Sequence, residues 1–212
     1  EQRQQGPHAH CARTSPDGRF VLVPDLGIDL VLVHALDADK ATIEPKSGGV
    51  VPAGSGPRHV AFTADGGRAY VINELALTVT GFDFDADEGT LIPFQTVSTI
   101  PEEITDREGF STAELVIHPS GRFLYGSNRG HHSIAMFKVD QDNGQLTLLG
   151  VEPIRGKTPR NFNISPDGRW LLAAGQDSDT VTVFAIDGDT GRLEFTGQTV
   201  SVPTPVCICF DR

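Results

Sequence analysis

The sequence has few cysteines, a shortage of basic residues and no long apolar run, and each shortage excludes a class of protein. Three cysteines without C-x-x-C spacing exclude a disulfide framework and favour a reducing compartment. No stretch of about 18 apolar residues is present, so no membrane-spanning segment is predicted. With 17 Lys and Arg against 28 Asp and Glu, the net charge of -11 argues against binding to nucleic acid or to anionic lipid.

Helical periodicity and the common hydrolase and nucleotide fingerprints are also missing. The G-x-S-x-G, phosphate-loop and dinucleotide motifs do not occur. The chain begins at Glu1 and its only methionine is Met136, so we expect it to be part of a longer protein whose upstream part would carry any signal peptide. An anionic ligand would need a locally basic site set into an acidic surface.

The sequence does contain a turn motif that is repeated four times. Aligned on glycines 18, 66, 121 and 168, the copies read S-P-D-G-R-F, T-A-D-G-G-R, H-P-S-G-R-F and S-P-D-G-R-W. Proline presets φ and glycine accepts positive φ, so each copy predicts a tight turn. The interval between the second and third copies is longer than the others because it contains a polar insertion, 101–111, which reads as a loop.

Each repeat unit has the period-two apolar pattern of four short β-strands, with an acidic, glycine-bearing turn before the last strand. Four strands repeated at a little under fifty residues predict a β-propeller, an all-β fold of four-stranded antiparallel blades. We place the blades at about 6–51, 52–100, 111–155 and 156–202, and a first strand of a further blade at 203–210. Residues 1–212 are then a single, partial propeller domain, part of a larger ring.

Two positions of the repeat carry charge in some units and not in others, which favours a functional role over a structural one. They lie eight residues before and eight residues after the turn glycine. The first holds His10, Arg58, Ala113 and Arg160, and the second holds Leu26, Glu74, Arg129 and Gln176. Residues equally far from an antiparallel turn come close to facing each other, so the charged members are predicted to converge at the mouth of a central channel.

The chemistry of these residues is coherent. Arginines bind phosphate or carboxylate groups in bidentate fashion, and a carboxylate or an imidazole can act as a general base. His8 and His10 share a strand face, but no third metal ligand follows at a recognisable spacing, so neither a metal nor another cofactor is predicted.

Several longer motifs resemble one known family, the seven-bladed propeller lactonases. They are G-P-H-A-H with S-P-D-G-R-F, G-P-R-H-V-A-F with V-I-N-E-L, S-N-R-G-H-H-S-I-A-M-F-K-V-D, and T-P-R-N-F-N-I-S-P-D-G-R-W. The family includes the propeller type of 6-phosphogluconolactonase and the fungal carboxy-muconate cyclase. The resemblance covers nearly all of the chain and implies that about three blades lie outside it.

The resemblance implies a cytoplasmic hydrolase that opens 6-phospho-D-glucono-1,5-lactone to 6-phosphogluconate, with a small anionic sugar lactone as its partner and no cofactor. It implies four catalytic residues, His10, Arg58, Glu74 and Arg129. Five further residues are predicted to bind substrate, namely His8, His59, Asn73, Asn128 and Arg160. The sequence leaves the oligomeric state open.

The mechanism that we expect is attack of water on the lactone carbonyl, with His10 or Glu74 as the base and an arginine stabilising the oxyanion. Two other functions fit the same residues. The cluster could cyclise a carboxylated muconate, since arginine binds carboxylates as readily as phosphate. A propeller can also be a non-catalytic binding scaffold, because one fold hosts many functions.

Overall fold

The structure, a computed structural model, describes residues 3–211 and consists of four antiparallel sheets that follow one another along the chain. Each sheet has four strands in the order in which they occur in the sequence. A three-residue 3-10 turn, Gln176–Ser178, connects the second and third strands of the fourth sheet. No helix in the part of the chain that is described is long and apolar enough to cross a membrane. The all-β fold of four-stranded antiparallel units is therefore confirmed.

The chain forms two compact units, Glu1–Val97 and Ser98–Arg212. The first unit contains the first two sheets. The strands of the first sheet are β1 Arg13–Thr14, β2 Phe20–Asp25, β3 Leu30–Asp37 and β4 Thr42–Val50. The strands of the second sheet are β5 Pro57–Phe62, β6 Arg68–Asn73, β7 Thr78–Asp85 and β8 Thr90–Ser98.

The second unit contains the other two sheets, which have the same strand order. The third sheet consists of β9 Ser111–Ile117, β10 Phe123–Arg129, β11 Ser133–Val139 and β12 Leu146–Pro153. The fourth sheet consists of β13 Pro159–Ile164, β14 Trp170–Gly175, β15 Thr180–Ile186 and β16 Leu193–Ser201.

The repeated turn is held by its own side chains. In the first copy, the Ser15 hydroxyl donates to Asp17 Oδ1 at 2.5 Å, and Arg19 Nε donates to Asp17 Oδ2 at 2.6 Å. These two hydrogen bonds lower the pKa of Asp17 to about 2, the serine contributing most. Gly18 closes the turn at a φ of 74°, which residues with a side chain adopt only at a cost. The motif thus joins the first two strands of each sheet.

In each unit the two sheets bury an aromatic core between them. In the first unit, the ring of Phe84 contacts both Phe20 and Phe62 edge to face, with centroids 5.7 and 5.4 Å apart. In the second unit, the Tyr125 hydroxyl donates to the carbonyl of Gly191 at 2.9 Å, and burial raises the pKa of this tyrosine. The alternating apolar residues of the first three strands supply most of each core.

The segment 203–210, expected to be the first strand of a further blade, has no strand pairing within residues 3–211. Asn161 and Asn163 hold it through their side chains, which bond the backbone N–H and carbonyl of Ile208 at 2.7 and 3.0 Å. Cys207 and Cys209 lie on one side of it, with Sγ atoms 3.7 Å apart, and both are exposed.

We predict that Gly89→Ala destabilises the first unit more than Gly18→Ala does. Both glycines have positive φ, 64° and 74°, so both substitutions should cost about 1 kcal/mol in backbone strain. A Cβ at Gly89 would also collide with the buried Phe20 ring, whereas nothing lies within 4 Å of one at Gly18. Overpacking should add roughly 1–3 kcal/mol at Gly89, measured by denaturant unfolding. Equal losses for the two variants would contradict the described packing.

Candidate active site

Every sheet has a register slip at the same place in its first two strands. In the second sheet Pro57 pairs with Asn73 but His59 pairs with Ile72, so Arg58 is the extra residue of a β-bulge. In the fourth sheet the same slip falls at Arg160. The third sheet has its slip at 113–114, and the first has it between residues 9 and 13. The position eight residues before the turn glycine therefore lies in a bulge.

Arg58 and Glu74 form a buried ion pair at the end of the second sheet. Arg58 Nε donates to Glu74 Oε2 at 2.8 Å, and each side chain is only 2% exposed. The turn is off-centre by one residue about its glycine, with Phe62 paired to Ala69, and the bulge adds a second residue. Glu74 therefore lies opposite Gly56, whose carbonyl accepts from the Glu74 N–H at 2.7 Å. The backbones of the two positions are offset by two residues, but the side chains meet because both are long.

Two histidines lie beside this pair. Arg58 Nη1 is 3.1 Å from His59 Nε2, and because a guanidinium only donates, the imidazole nitrogen is the acceptor. This contact holds His59 in the tautomer with its proton on Nδ1. The rings of His10 and His59 lie 5.1 Å apart at an angle of 55°. Adjacent residues of a regular strand point to opposite faces, so it is the bulge that allows Arg58 and His59 to touch.

Arg3 completes what we call the histidine–arginine cluster, made of Arg3, His10, Arg58, His59 and Glu74. The Nη1 atom of Arg3 lies 2.5 Å from Glu74 Oε1, on the carboxylate oxygen that Arg58 Nε does not bind. The Arg3 side chain is 54% exposed, so the buried carboxylate joins a buried arginine to an exposed one. Sequence comparison between units missed Arg3 because it precedes the first repeat.

Asn73 and Asn128, both predicted to bind substrate, have geometry that indicates a structural role. Each lies seven residues after its turn glycine and is completely buried. The amide of Asn73 donates to the hydroxyls of Thr78 and Thr80, both at 2.9 Å. That of Asn128 donates to the Thr99 carbonyl and the Ser133 hydroxyl at 3.2 and 3.3 Å. In this conformation neither side chain can reach a dissolved ligand.

The other predicted residues are placed differently. His8 is exposed, and its backbone N–H and carbonyl bond Asp25 and Leu26. In the second unit, Arg129 is half-buried at the end of β10 and donates to the Thr112 carbonyl at 2.9 Å. Arg160 is half-buried in its bulge. The convergence of Arg129 and Arg160 with residues of the first unit stays a prediction.

A second polar position of the repeat lies one residue after the bulge position; His59 was predicted there, but its equivalents in the third and fourth sheets were not. It holds His59 in the second sheet, Glu114 in the third and Asn161 in the fourth. Asn161 Nδ2 donates to Glu114 Oε2 at 2.5 Å, and Asn161 Oδ1 accepts from the backbone of Ile208. The available signal was a polar residue recurring inside otherwise apolar first strands.

The polar insertion packs against the end of β10. Phe110 makes an edge-to-face contact with His131, with ring centroids 5.4 Å apart. Burial, followed by the neighbouring His132, lowers the pKa of His131, and burial followed by Lys157 lowers the pKa of His132. Both histidines are half-buried.

Four-stranded antiparallel sheets in chain order, each with the same bulge, define this chain as part of a β-propeller protein. The family model described as "Lactonase, 7-bladed beta-propeller" matches residues 1–210, and the chain belongs to this family. The 6-phosphogluconolactonase of Bacillus subtilis is 37% identical over 209 residues, which are 99% of this chain and 59% of that protein. The resemblance inferred from the sequence motifs is confirmed.

Two solved structures are similar to the chain along nearly all of its length. The periplasmic gluconolactonase PpgL of Pseudomonas aeruginosa is 36% identical with a TM-score of 0.90, over 97% of this chain and 57% of that one. A protein from Lactobacillus plantarum is 34% identical with a TM-score of 0.90, over 96% and 58%. The chain thus spans a little under three fifths of the length of these relatives.

We predict that Arg58→Met destabilises the protein by roughly 3–5 kcal/mol, because it leaves the buried Glu74 carboxylate without its buried partner. Arg3→Gln removes the exposed arginine from the same carboxylate and should cost about 0–1 kcal/mol. The free energy of unfolding in urea measures both. Losses that differ by less than about 1 kcal/mol would show that the buried pair is not the stronger contact.

Proposed function

We propose that the protein is a lactone hydrolase that opens 6-phospho-D-glucono-1,5-lactone to 6-phosphogluconate, a step of the pentose phosphate pathway. The observation that carries this proposal is the histidine–arginine cluster, which combines proton-transfer groups with fixed positive charge in a lactonase-family chain. The B. subtilis relative supports the substrate. Since the chain spans 59% of that relative, the activity is proposed for the whole protein that contains it.

Hydrolysis of a lactone needs a base for the attacking water and a donor for the developing oxyanion. In the proposed reaction the base removes a proton from water as its oxygen attacks the ring carbonyl. The tetrahedral intermediate then collapses, the bond from the carbonyl carbon to the ring oxygen breaks, and the base returns its proton to that oxygen. Lactones are reactive esters, so positioning and one base are sufficient.

We assign the base to His10 and not to Glu74. Both carboxylate oxygens of Glu74 contact arginines, and the side chain is 2% exposed. A carboxylate engaged by two cations is a poor proton acceptor, because accepting a proton would break both ion pairs. His10 is exposed at the edge of the cluster, where water and substrate have access. Glu74 instead orients the arginines.

The oxyanion donor that fits best is His59. Arg58 is too buried to touch a substrate directly in this conformation, but its contact with Nε2 leaves the His59 proton on Nδ1. The positive charge behind the imidazole strengthens that N–H as a donor. The arginine expected to stabilise the oxyanion would thus act indirectly, with Arg58 polarising His59.

We propose that Arg129 and Arg160 bind the phosphate group of the substrate. Both residues are half-buried at strand ends of the second unit. A guanidinium binds phosphate in bidentate fashion, and an anionic substrate of an acidic protein needs such local positive charge. We propose a cytoplasmic location, since the cysteines form no disulfide among residues 3–211. One relative is named as periplasmic, so family membership alone does not decide the compartment.

We predict that His10→Gln lowers kcat for lactone opening by about 10²–10⁴-fold and His59→Gln by about 10²–10³-fold, because they remove the base and the oxyanion donor. Glu74→Gln should also lower kcat, through misplaced arginines. His34→Gln, in the middle of β3, is the control and should retain parent activity. Parent kcat/KM in all three cluster variants would refute the proposed site.

We predict that 6-phosphogluconate stabilises the protein more than gluconate does, because only the former carries the group that Arg129 and Arg160 are proposed to bind. At a ligand concentration of 100 Kd the gain is about 2.7 kcal/mol, which thermal unfolding detects. Arg129→Gln and Arg160→Gln should remove the difference between the two ligands. Equal stabilisation of the parent by both ligands would contradict the phosphate assignment.

A further inference from the structure

Asp29, in the turn between β2 and β3, bonds two separate segments with one carboxylate. Its Oδ1 atom accepts from the backbone N–H of Gly56 and from the side-chain amide of Gln4, both at 2.8 Å. Its Oδ2 atom accepts from the N–H of Gly54 at 2.8 Å. One half-buried side chain thus joins the start of the chain, the turn and the linker that leads into β5.

Both of the segments held by Asp29 lead to the Glu74 carboxylate. Gly56 precedes Arg58 by two residues, and its carbonyl accepts from the Glu74 N–H. Gln4 follows Arg3, whose guanidinium contacts the other oxygen of Glu74. Asp29 therefore restrains the backbone on both sides of the ion pairs that build the histidine–arginine cluster.

The other repeat units show which part of this arrangement is general. The position eleven residues after the turn glycine holds Asp29, Leu77, His132 and Asp179, and all four residues have φ between 54° and 58°. His132 Nδ1 accepts from the Thr158 N–H at 3.0 Å, and Asp179 Oδ1 accepts from the Thr204 N–H at 2.8 Å. Leucine has no acceptor atom in its side chain.

In the three units where this position has a side-chain acceptor, the linker residue whose N–H it binds has a left-handed backbone conformation. Gly56, Thr158 and Thr204 have φ of 63°, 57° and 44°. After the unit with Leu77, the corresponding residue is Ser111, which is in a strand and pairs with Arg129. A left-handed threonine is strained by its Cβ, so a fixed acceptor for its N–H helps to hold it there. The side-chain acceptor thus fixes the backbone conformation of the residue that lies two positions before the bulge.

We propose that Asp29 is a positioning residue for the Arg58–Glu74 pair, acting through the Gly56 backbone and through Gln4. Asp179 makes the equivalent contact, but the residue two places after Thr204 is Val206, which has no charge to position. Asp29 and Asp179 therefore allow a controlled comparison within one chain, because both make the contact but only Asp29 precedes a charged residue at the bulge position. The expected effect on catalysis rests on the proposed function, whereas the effect on Arg58 does not.

The first experiment follows Arg58 itself by NMR, in the protein that contains this chain. In Asp29→Asn, which tolerates the left-handed backbone but loses an acceptor oxygen, the Arg58 Nε–H should exchange with solvent at least about tenfold faster than in the parent. In Asp179→Asn it should exchange at the parent rate. Unchanged exchange in Asp29→Asn, or equal acceleration in both variants, would overturn the proposal.

The second experiment measures steady-state kinetics of lactone opening. Asp29→Asn should lower kcat about tenfold through misplacement of the cluster, with KM within about twofold of the parent. Asp179→Asn should change neither. Equal kcat in the two variants would overturn the positioning role.

Two further comparisons keep the outcomes distinct. If Asp29→Asn does not fold, Asp29→Leu replaces it, because Leu77 shows that leucine occupies the equivalent backbone position; the same two readouts then decide. If the parent protein does not open the lactone, the proposed function fails, and if His10→Gln, His59→Gln and Glu74→Gln all retain parent activity, the proposed site is wrong. The NMR comparison of Asp29→Asn with Asp179→Asn would still confirm or refute the positioning of Arg58.

Discussion

The candidate site depends on the buried ion pair between Arg58 and Glu74. Neither charge could be buried alone, since an unpaired ion in a protein interior costs several kcal/mol. The pair is therefore possible only where the backbone brings both side chains to one strand end, and the bulge at Arg58 does so. His59 contacts Arg58, Arg3 contacts Glu74, and the ring of His10 lies against that of His59.

The bulge itself belongs to the scaffold, because all four sheets have it and only some carry a charge there. In the third sheet, uncharged Ala113 stands where the second has Arg58. The repeated backbone thus supplies equivalent strand ends, and single residues at those ends supply the chemistry. This is how one fold can host different functions without change in its core.

Much of the fold could be predicted from the sequence, because strand alternation and turn chemistry are local properties. The turn at Gly18, for example, follows from residues within five positions of it. The charged positions at Arg58 and Glu74 were also predictable, by comparing units. The register was not, since a bulge adds a residue without a sequence signal of its own. Asn73 was predicted to bind substrate, and its hydrogen bonds to Thr78 and Thr80, which indicate a structural role, could not be inferred from the sequence.

The sequence by itself determined the repeat, the four-stranded units, the family and the residues whose charge breaks the repeat. These follow from spacing and residue type along the chain. Only the tertiary structure decided that Arg3 shares Glu74 with Arg58, and that Asp29 bonds the linker before them. Both contacts join residues far apart in sequence, and their geometry depends on how the chain packs and not on any local preference.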